Sequence, residues 1–257
     1  AVYRWNPLAG PPPARAVEDV DAVVHLLGEP VAGRWTPAKK QAIRYSRVVS
    51  TRHLVSGLRN VNSKSCVLVS ASAMGYYGNR GDHVLTEESI SGEGFLAQVC
   101  SDWEAEAKLA GAYGLQVTLL RSSNVLAPTG GMLGPLVRLF RFGLGGPMAS
   151  GSQWWPWVHI DDEVGLIRLA LERRVTGVVN ATSPNPVRQA DFARAIGLAV
   201  RRPALLPAPS WALRLVLGEL AVEILSSQRM VPRAALDAGY RFRFPDLPAA
   251  LRDVLGA

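Results

Sequence analysis

Four short segments hold most of the side chains that could do chemistry in this sequence. They mix hydroxyl, phenol, guanidinium, imidazole and carboxylate groups with small residues, and each follows an apolar run of strand length. Any one alone would fit a turn, but in an open parallel sheet ligands bind outside the carboxyl ends of the strands. We therefore expect the four to line one ligand site. They are Leu26–Glu29, Ser70–Gly78, Arg121–Leu126 and Trp157–Asp162.

The elements that must position these segments alternate between short apolar runs and longer helical patterns. This alternation predicts an α/β fold with a parallel sheet covered by helices on both faces. Strands are predicted over Asp21–Gly28, Ser65–Ser70, Leu115–Leu120, Trp157–Ile160 and Gly177–Ala181, and helices over Pro37–Val61, Phe95–Ala112, from near Asp161, and from about Gln189 to Val200.

The character of the chain changes at Arg202. Pro203, Pro207 and Pro209 punctuate a short extended segment, and a long apolar helix and a tail are predicted after it. We predict a main domain over residues 1–201 and a small, mostly helical C-terminal lobe over residues 202–257.

Composition excludes several classes of protein. With 257 residues, 48% of them apolar, the chain can build one substantial core. No apolar run approaches the roughly 18 residues of a membrane span, so we predict no membrane partner. Cys66 and Cys100 show no metal-ligand spacing with the four histidines, so no metal site is expected. The 13 arginines of residues 168–257 are scattered rather than clustered, which disfavours nucleic-acid binding. Two cysteines and no signal-peptide pattern favour a cytoplasmic location.

Several motifs in the same order resemble the extended short-chain dehydrogenase/reductases, the nucleotide-sugar epimerase group, and more narrowly the epimerase-like proteins of the bacterial YfcH type. The resemblance implies a Rossmann-like, doubly wound parallel sheet that binds NADP(H), with NAD(H) less favoured, and a cytoplasmic, stromal or matrix location. The motifs are Gly33–Pro37, Ser46-Arg47, Ser72–Gly78, Phe142–Pro147, Ser150–Gln153, Trp157–Ile160 and Asn180–Asn185.

The family's glycine-rich turn has no counterpart in this sequence. Members begin with a βαβ unit whose G-x-x-G-x-x-G turn holds the cofactor pyrophosphate at a helix N-terminus. We find no such motif, and we therefore expect the chain to begin just after that unit, which spans roughly 30 residues or more. The residue that separates NAD from NADP would precede the chain as well.

The resemblance also implies catalytic positions. Ser72 matches the family serine that hydrogen-bonds the reacting carbonyl or hydroxyl, although a serine closing a turn would fit too. The usual Tyr-x-x-x-Lys pair is absent: if Glu104 matches the glutamate that often follows the pair, Leu96 and Cys100 occupy its places.

Tyr76 and Tyr77 are the candidate replacements, since they follow Ser72 on the same loop. A phenol becomes a proton donor or acceptor when a cation lowers its pKa, and Arg121 or the nicotinamide would be that cation. Alternatively, the two rings support the loop against the sheet.

The remaining site residues are also implied by the resemblance. Trp154 and His159 would line a substrate pocket. A place for Trp154 in the seam with the C-terminal lobe is compatible with that role, whereas the alternative for His159 is simple packing. Asp161 and Asp162 most simply cap the following helix. The predicted cofactor contacts are Leu26, Leu27, Gly28, Arg47, Ala71, Arg121, Ser123, Asn124 and Val125.

Two functional hypotheses follow. The first is an NADP(H)-binding, epimerase-like oxidoreductase with a non-standard active site, acting on an unknown small molecule and able to form a homodimer. The second is a non-catalytic nucleotide-sensing or scaffold protein, since the Tyr-x-x-x-Lys pair is absent and some relatives are linked to cell or plastid division.

Overall fold

A computed structural model describes residues 1–61 and 66–256, without the side chain of Asn60. Ser65, the first residue of one predicted strand, lies outside the described residues. The strands are β1 (Ala22–His25), β2 (Val67–Ala73), β3 (Val84–Leu85), β4 (Gln116–Ser122), β5 (Asn124–Leu126), β6 (Trp157–His159), β7 (Gly177–Ala181) and β8 (Arg229–Met230).

Helices alternate with these strands over most of the chain. They are α1 (Pro37–Gly57), α2 (Phe95–Lys108), α3 (Leu133–Arg141), α4 (Ile160–Glu172), α5 (Gln189–Ala199), α6 (Ser210–Leu217), α7 (Leu220–Ile224), α8 (Arg233–Asp237) and α9 (Leu247–Leu255). Short 3₁₀ turns extend α1 and α2 to Asn60 and Tyr113, which explains why the sequence pattern of both helices runs past their last α-helical residue.

The main sheet has the strand order β1-β2-β4-β7, and every neighbouring pair in it is parallel. Its two faces are both covered. Val67 and Val69 of β2 pack with Ala170 of α4, whereas Leu68, which points the other way, packs with Leu54 of α1. Helix α2 lies beside α1 on that second face. The predicted parallel sheet with helices on both faces is confirmed.

The sheet places the carboxyl ends of its strands along one edge, as the site prediction requires. Ser72 of β2 pairs in register with Arg121 of β4, and Arg121 pairs with Asn180 of β7. These three side chains therefore point to the same face of the sheet. That face is the one covered by α2, because Ser72 and Arg121 both reach Glu104 on that helix.

The C-terminal region is mostly helical, but the long apolar helix predicted within it is wrong. Helices α6 and α7 replace it, and Gly218 between them has a φ of +59°, a backbone conformation that ends a right-handed helix. The region is tied to the rest of the chain at several points: β8 pairs with β3, α8 packs on β7, and α9 packs on α5. The division of domains at residues 201 and 202 stays a prediction.

Within the described residues, every helix is too short or too polar to cross a membrane. The same residues contain no group of three or more histidine, cysteine, aspartate or glutamate side chains placed to hold a metal ion.

Candidate functional site

Three of the predicted segments meet at the carboxyl edge of the sheet. The Asn124 side-chain amide donates to the Pro156 carbonyl at 2.8 Å and lies 3.7 Å from the sulfur of Met74, which follows β2. The Ser123 backbone N–H and hydroxyl both donate to the Ala181 carbonyl, at 3.0 and 2.8 Å. The loops after β2 and β4 are therefore neighbours, with the start of β6 beside them.

Ser72 lies in a buried hydrogen-bonded network that we call the buried arginine cluster: Ser72, Tyr77, Glu104, Arg121 and Asn180. The Ser72 hydroxyl donates to Glu104 Oε1 at 2.7 Å. Arg121 forms a two-pronged ion pair with the same carboxylate, from Nε to Oε1 at 2.8 Å and from Nη2 to Oε2 at 2.9 Å. Ser72, Glu104 and Arg121 are at most 4% exposed.

Tyr77 completes this cluster from the other side. Its hydroxyl accepts from Arg121 Nη1 at 2.9 Å and donates to Asn180 Oδ1 at 2.6 Å. Burial raises the pKa of the Tyr77 phenol to about 12, and the neighbouring Arg121 charge offsets this only in part. The expected lowering of the phenol pKa by Arg121 is therefore outweighed by desolvation.

Arg121 itself stays charged in this environment. Burial lowers its pKa, but hydrogen bonds and charge from Glu104 and Tyr77 raise it by more, so that the net shift is upward. The Arg121 guanidinium carbon also lies 3.4 Å from the ring centre of Tyr76, whose side chain is half-buried. Among the three predicted catalytic side chains, Tyr76 is the most accessible, and the catalytic role of all three stays a prediction.

Leu96 and Cys100 lie beside the same loop, where the resemblance placed the tyrosine and lysine. A Cβ atom added to Gly75 would meet the Leu96 side chain at 3.0 Å and Cys100 Sγ at 3.7 Å. Burial raises the pKa of the Cys100 thiol to about 12. Neither side chain can exchange a proton at neutral pH.

The predicted cofactor residues after β1 form a second accessible stretch. Leu26 is 60% exposed, and Gly28 lies against the Arg47 guanidinium, where an added Cβ would come within 3.0 Å. Arg47 Nη1 donates to the Glu29 carbonyl at 2.9 Å, which holds the segment against α1. The preceding His25 ring bonds Thr51 at 2.8 Å, and burial lowers its pKa to about 4, so it is neutral at physiological pH.

Small side chains line the edge between these stretches. Ala71, predicted as a cofactor contact, is half-exposed, as are Leu27, Asn124 and Val125. Arg121 and Ser123 are buried in contacts within the protein, so the structure places these two predicted contacts behind the accessible edge.

His159 and the two aspartates that follow it have partners within the protein. The His159 ring is 1% exposed, stacks on Phe244 with ring centres 3.9 Å apart, and accepts from the Asp161 backbone N–H at 3.1 Å. Asp162 accepts from the backbone N–H groups of Arg243 and Phe244. His159 thus caps α4, and Asp162 fastens the C-terminal region to that helix.

Two buried carboxylates were missed as functional groups by the sequence reasoning. Glu104 served only to mark the tyrosine and lysine places, yet it lies four residues after Cys100, on the apolar face of α2. Glu163 is 8% exposed on the buried face of α4 and accepts from the Ser122 hydroxyl at 2.5 Å. Its Oε2 atom has no hydrogen-bond partner among the described residues. Burial raises the Glu163 pKa to about 7. A carboxylate at a core position of a helix is the signal that identifies both.

Trp154 stands apart from the strand-end loops, beside an open cavity of about 490 Å³ lined by the preceding residues Ser150, Ser152 and Gln153 and by Arg188. The Trp154 indole N–H donates to Asp82 at 2.8 Å. Of the two predicted pocket residues, Trp154 packs on the cavity-lining Arg188 without lining the cavity itself, and His159 packs elsewhere.

Comparison with known proteins identifies the family. The model of the NAD dependent epimerase/dehydratase family matches residues 14–182, well over half of the chain. This chain belongs to that family. A second model, a domain of unknown function (DUF1731), matches residues 208–254 of this epimerase-family chain, within the predicted C-terminal lobe.

Relatives of this epimerase-family chain extend over nearly all of it. The epimerase family protein Mb2239 of Mycobacterium bovis is 42% identical over 250 residues, which are 96% of this chain and 82% of the relative. The chloroplastic SDR39U1 homolog of Arabidopsis thaliana is 39% identical over 93% of this chain and 70% of its own length. The crystal structure of human SDR39U1 (isoform 2) with NADPH aligns with a TM-score of 0.89 at 33% identity, covering 97% of this chain and 84% of the human one. The Rossmann-like fold is therefore confirmed.

Proposed function

We propose that this chain binds NADP(H) and acts as an epimerase-like oxidoreductase on a small molecule, with an active site that lacks the Tyr-x-x-x-Lys pair. The observation that carries the proposal is the accessible edge formed by the segments after β1, β2 and β4, where Asn124 meets Met74. The human relative solved with NADPH supports the choice of cofactor.

The residues at this edge fit the nicotinamide and ribose half of such a cofactor. The Gly28 backbone lies directly against the Arg47 guanidinium, a cation suited to phosphate, and Ala71 at the end of β2 has a small side chain. The Asn124 side-chain nitrogen contacts Pro156, but its side-chain oxygen, Oδ1, takes no part in that contact and can accept from a carboxamide. A glycine-rich pyrophosphate turn is absent from the sequence, so these residues account for part of the binding only.

A bound nicotinamide would supply hydride transfer. The chain's own part is to orient the ring with Asn124 and Val125, which lie at the accessible edge, and to exchange a proton with the substrate. Ser72 is committed to Glu104, and Tyr77 keeps its proton up to about pH 12. We therefore assign the proton exchange to the Tyr76 hydroxyl.

Titration of nicotinamide fluorescence tests this proposal. NADPH and NADH are each added to the chain, and to a form preceded by the glycine-rich βαβ unit of a relative. We expect both forms to bind NADPH, the extended form more tightly, and NADH more weakly in each. Asn124→Ala should weaken binding several-fold, with Asn185→Ala as the matched control. If the extended form binds neither dinucleotide, the proposal fails.

A non-catalytic nucleotide-sensing or scaffold protein is the second candidate, because Leu96 and Cys100 stand beside Gly75 in place of an acid–base pair. It predicts that NADPH binds but that no carbonyl compound in a broad panel is turned over. Turnover that is lost in Tyr76→Phe would discard it. Cytoplasmic, stromal or matrix location, the absence of nucleic-acid and membrane partners, and a homodimer belong to the proposal as well.

A further inference from the structure

Two arginines that the proposed function does not use pack on the ring of Trp154. The guanidinium carbons of Arg188 and Arg229 lie 4.0 and 4.6 Å from the ring centre. Together with Asp82 these residues form what we call the open arginine cluster. Asp82 accepts from Arg188 at 2.7 Å and from the Trp154 indole at 2.8 Å.

Positive charge exceeds negative charge in this cluster. Asp82 contacts Arg188 alone, and Arg229 influences it only through its charge. Hydrogen bonds from Arg188 and Trp154 lower the pKa of Asp82, so it is ionised at neutral pH. Arg229 has no carboxylate within 4 Å in the described residues, and its Nε atom is buried there without a hydrogen-bond partner. The positive charge of Arg229 therefore adds to that of Arg188 on the same indole ring.

The cavity beside the cluster has the size and lining of a site for a polar small molecule. Its volume is about 490 Å³, within the usual range of ligand pockets. Hydroxyl and amide side chains from three loops surround Arg188 and Asp82. They are Asn79, Ser150, Ser152, Gln153 and Ser227.

The walls of this cavity are rigid. The Ser227 hydroxyl donates to the Gly81 carbonyl at 2.6 Å, and the Trp154 backbone N–H donates to the Ser227 hydroxyl at 3.0 Å. Next to it, the Gln228 side chain donates to the carbonyls of Met74 and Gly78, at 3.1 and 3.0 Å. The cavity is therefore preformed and is braced against the loop that carries Tyr76.

We propose that this cavity binds a small hydroxylated molecule bearing a carboxylate or a phosphate, with the anionic group held by Arg188 and attracted further by the charge of the neighbouring Arg229. Guanidinium groups suit both anions, since they offer paired N–H donors. Arg188 keeps Nε and Nη2 free of the Asp82 contact, which is made by Nη1 alone. The hydroxyl and amide side chains around it would bind the neutral part of the molecule.

Binding of simple probes to the full chain tests the proposal without any cofactor. Glucose 6-phosphate carries the phosphate, glucuronate the carboxylate, and glucose neither. By calorimetric titration we expect at least one of the two anions to bind with a dissociation constant below about 10 mM, and glucose to bind at least tenfold more weakly. Which anion binds more tightly identifies the group. If neither anion binds, or glucose binds equally well, the proposal is wrong.

Two pairs of variants locate the binding. Arg188→Gln should weaken binding of the anion at least tenfold. Arg194→Gln is the control, because Arg194 lies six residues further on, within α5, and pairs with Asp191 outside this cavity, so that the affinity should be unchanged. Arg188 also hydrogen-bonds a loop, so its substitution could weaken binding indirectly. Ser150→Asp tests binding independently, because it adds a negative charge at an exposed residue of the cavity wall and should abolish binding of the anion. Ser91→Asp, exposed elsewhere, is its control. Unchanged affinity in Ser150→Asp would overturn the proposal.

Discussion

The buried and the open arginine clusters each combine arginine with a carboxylate and an aromatic ring, and they differ in how fully their arginines are paired. In the buried cluster, Arg121 has a two-pronged carboxylate partner and a phenol partner, and it is 2% exposed. In the open cluster, Arg188 contacts Asp82 through one nitrogen and lines a cavity, and Arg229 has no carboxylate within 4 Å in the part of the chain that the structure describes. Donors and acceptors that are all paired within the protein stabilise the fold, whereas donors that remain unpaired are available to bind a ligand.

The comparison also shows where residue type alone misleads. Ser72, Tyr77 and Arg121 have the side chains that chemistry requires, yet each is bonded within the protein. Trp154 was predicted to line a substrate pocket, yet in the structure the guanidinium groups of Arg188 and Arg229 pack on its ring.

The largest expected effect is the removal of the carboxylate from the buried cluster. Glu104→Ala leaves the Arg121 charge buried without its partner, which should lower the free energy of unfolding by about 3–5 kcal/mol. Urea denaturation followed by circular dichroism measures it. Asp82→Ala, the matched change in the open cluster, should hardly alter stability. Equal losses in the two variants would remove the distinction between the clusters.

Removing the charge of Glu163, a buried carboxyl that forms no ion pair within the described residues, should stabilise the protein, whereas removing that of Glu104 destabilises it. Glu163 has a folded-state pKa of about 7, above the ordinary 4.5, so the folded protein holds this proton more tightly than the unfolded chain does. Its stabilising contribution is complete below pH 4.5 and is lost as the pH rises to about 7. Glu163→Gln, which mimics the protonated form, should therefore gain stability relative to wild type as the pH rises, by about 3 kcal/mol at most.

Unfolding midpoints at pH 4.5, 6 and 8 measure this difference, with Glu172→Gln at the exposed end of α4 as the control. A constant difference between wild type and Glu163→Gln across this range would show that Glu163 titrates as an ordinary exposed carboxyl does.

The smallest of the stability effects separates the two tyrosines. Tyr77→Phe removes an acceptor for Arg121 and a donor to Asn180, and we expect a loss of about 1–3 kcal/mol. Tyr76→Phe removes a hydroxyl outside the buried cluster and should leave the unfolding midpoint within experimental error. A larger loss in Tyr76→Phe would place its hydroxyl within the fold-stabilising set and would count against its assigned role in proton exchange.

Local patterns predicted the scaffold well and the contacts between distant segments poorly. The strand Gly177–Ala181 has the predicted bounds because an apolar run between turn residues is a local signal. The pairing of Glu104 with Arg121 joins a helix to a strand, and that of β3 with β8 joins residues about 145 positions apart. Such pairings depend on tertiary packing, which periodicity does not encode.

The candidate site divides in the same way. The strand-end rule predicted that the loops carrying Met74 and Asn124 would meet, and they do. The rule could not indicate which polar side chains would be fully hydrogen-bonded to other residues of the protein. The arginine pair on Trp154 was not predicted, because Arg188 and Arg229 lie outside the four predicted segments and are brought to one ring only by tertiary packing.

Backbone amide chemical shifts during titration with NADPH test the central claim most directly, because they report where the dinucleotide lies. The account predicts concentration-dependent shifts at Gly28, Ala71 and Asn124, with Ser150 and Arg188 of the cavity wall unchanged. Saturable shifts confined to the cavity wall, or none at the three edge residues at millimolar NADPH, would contradict it.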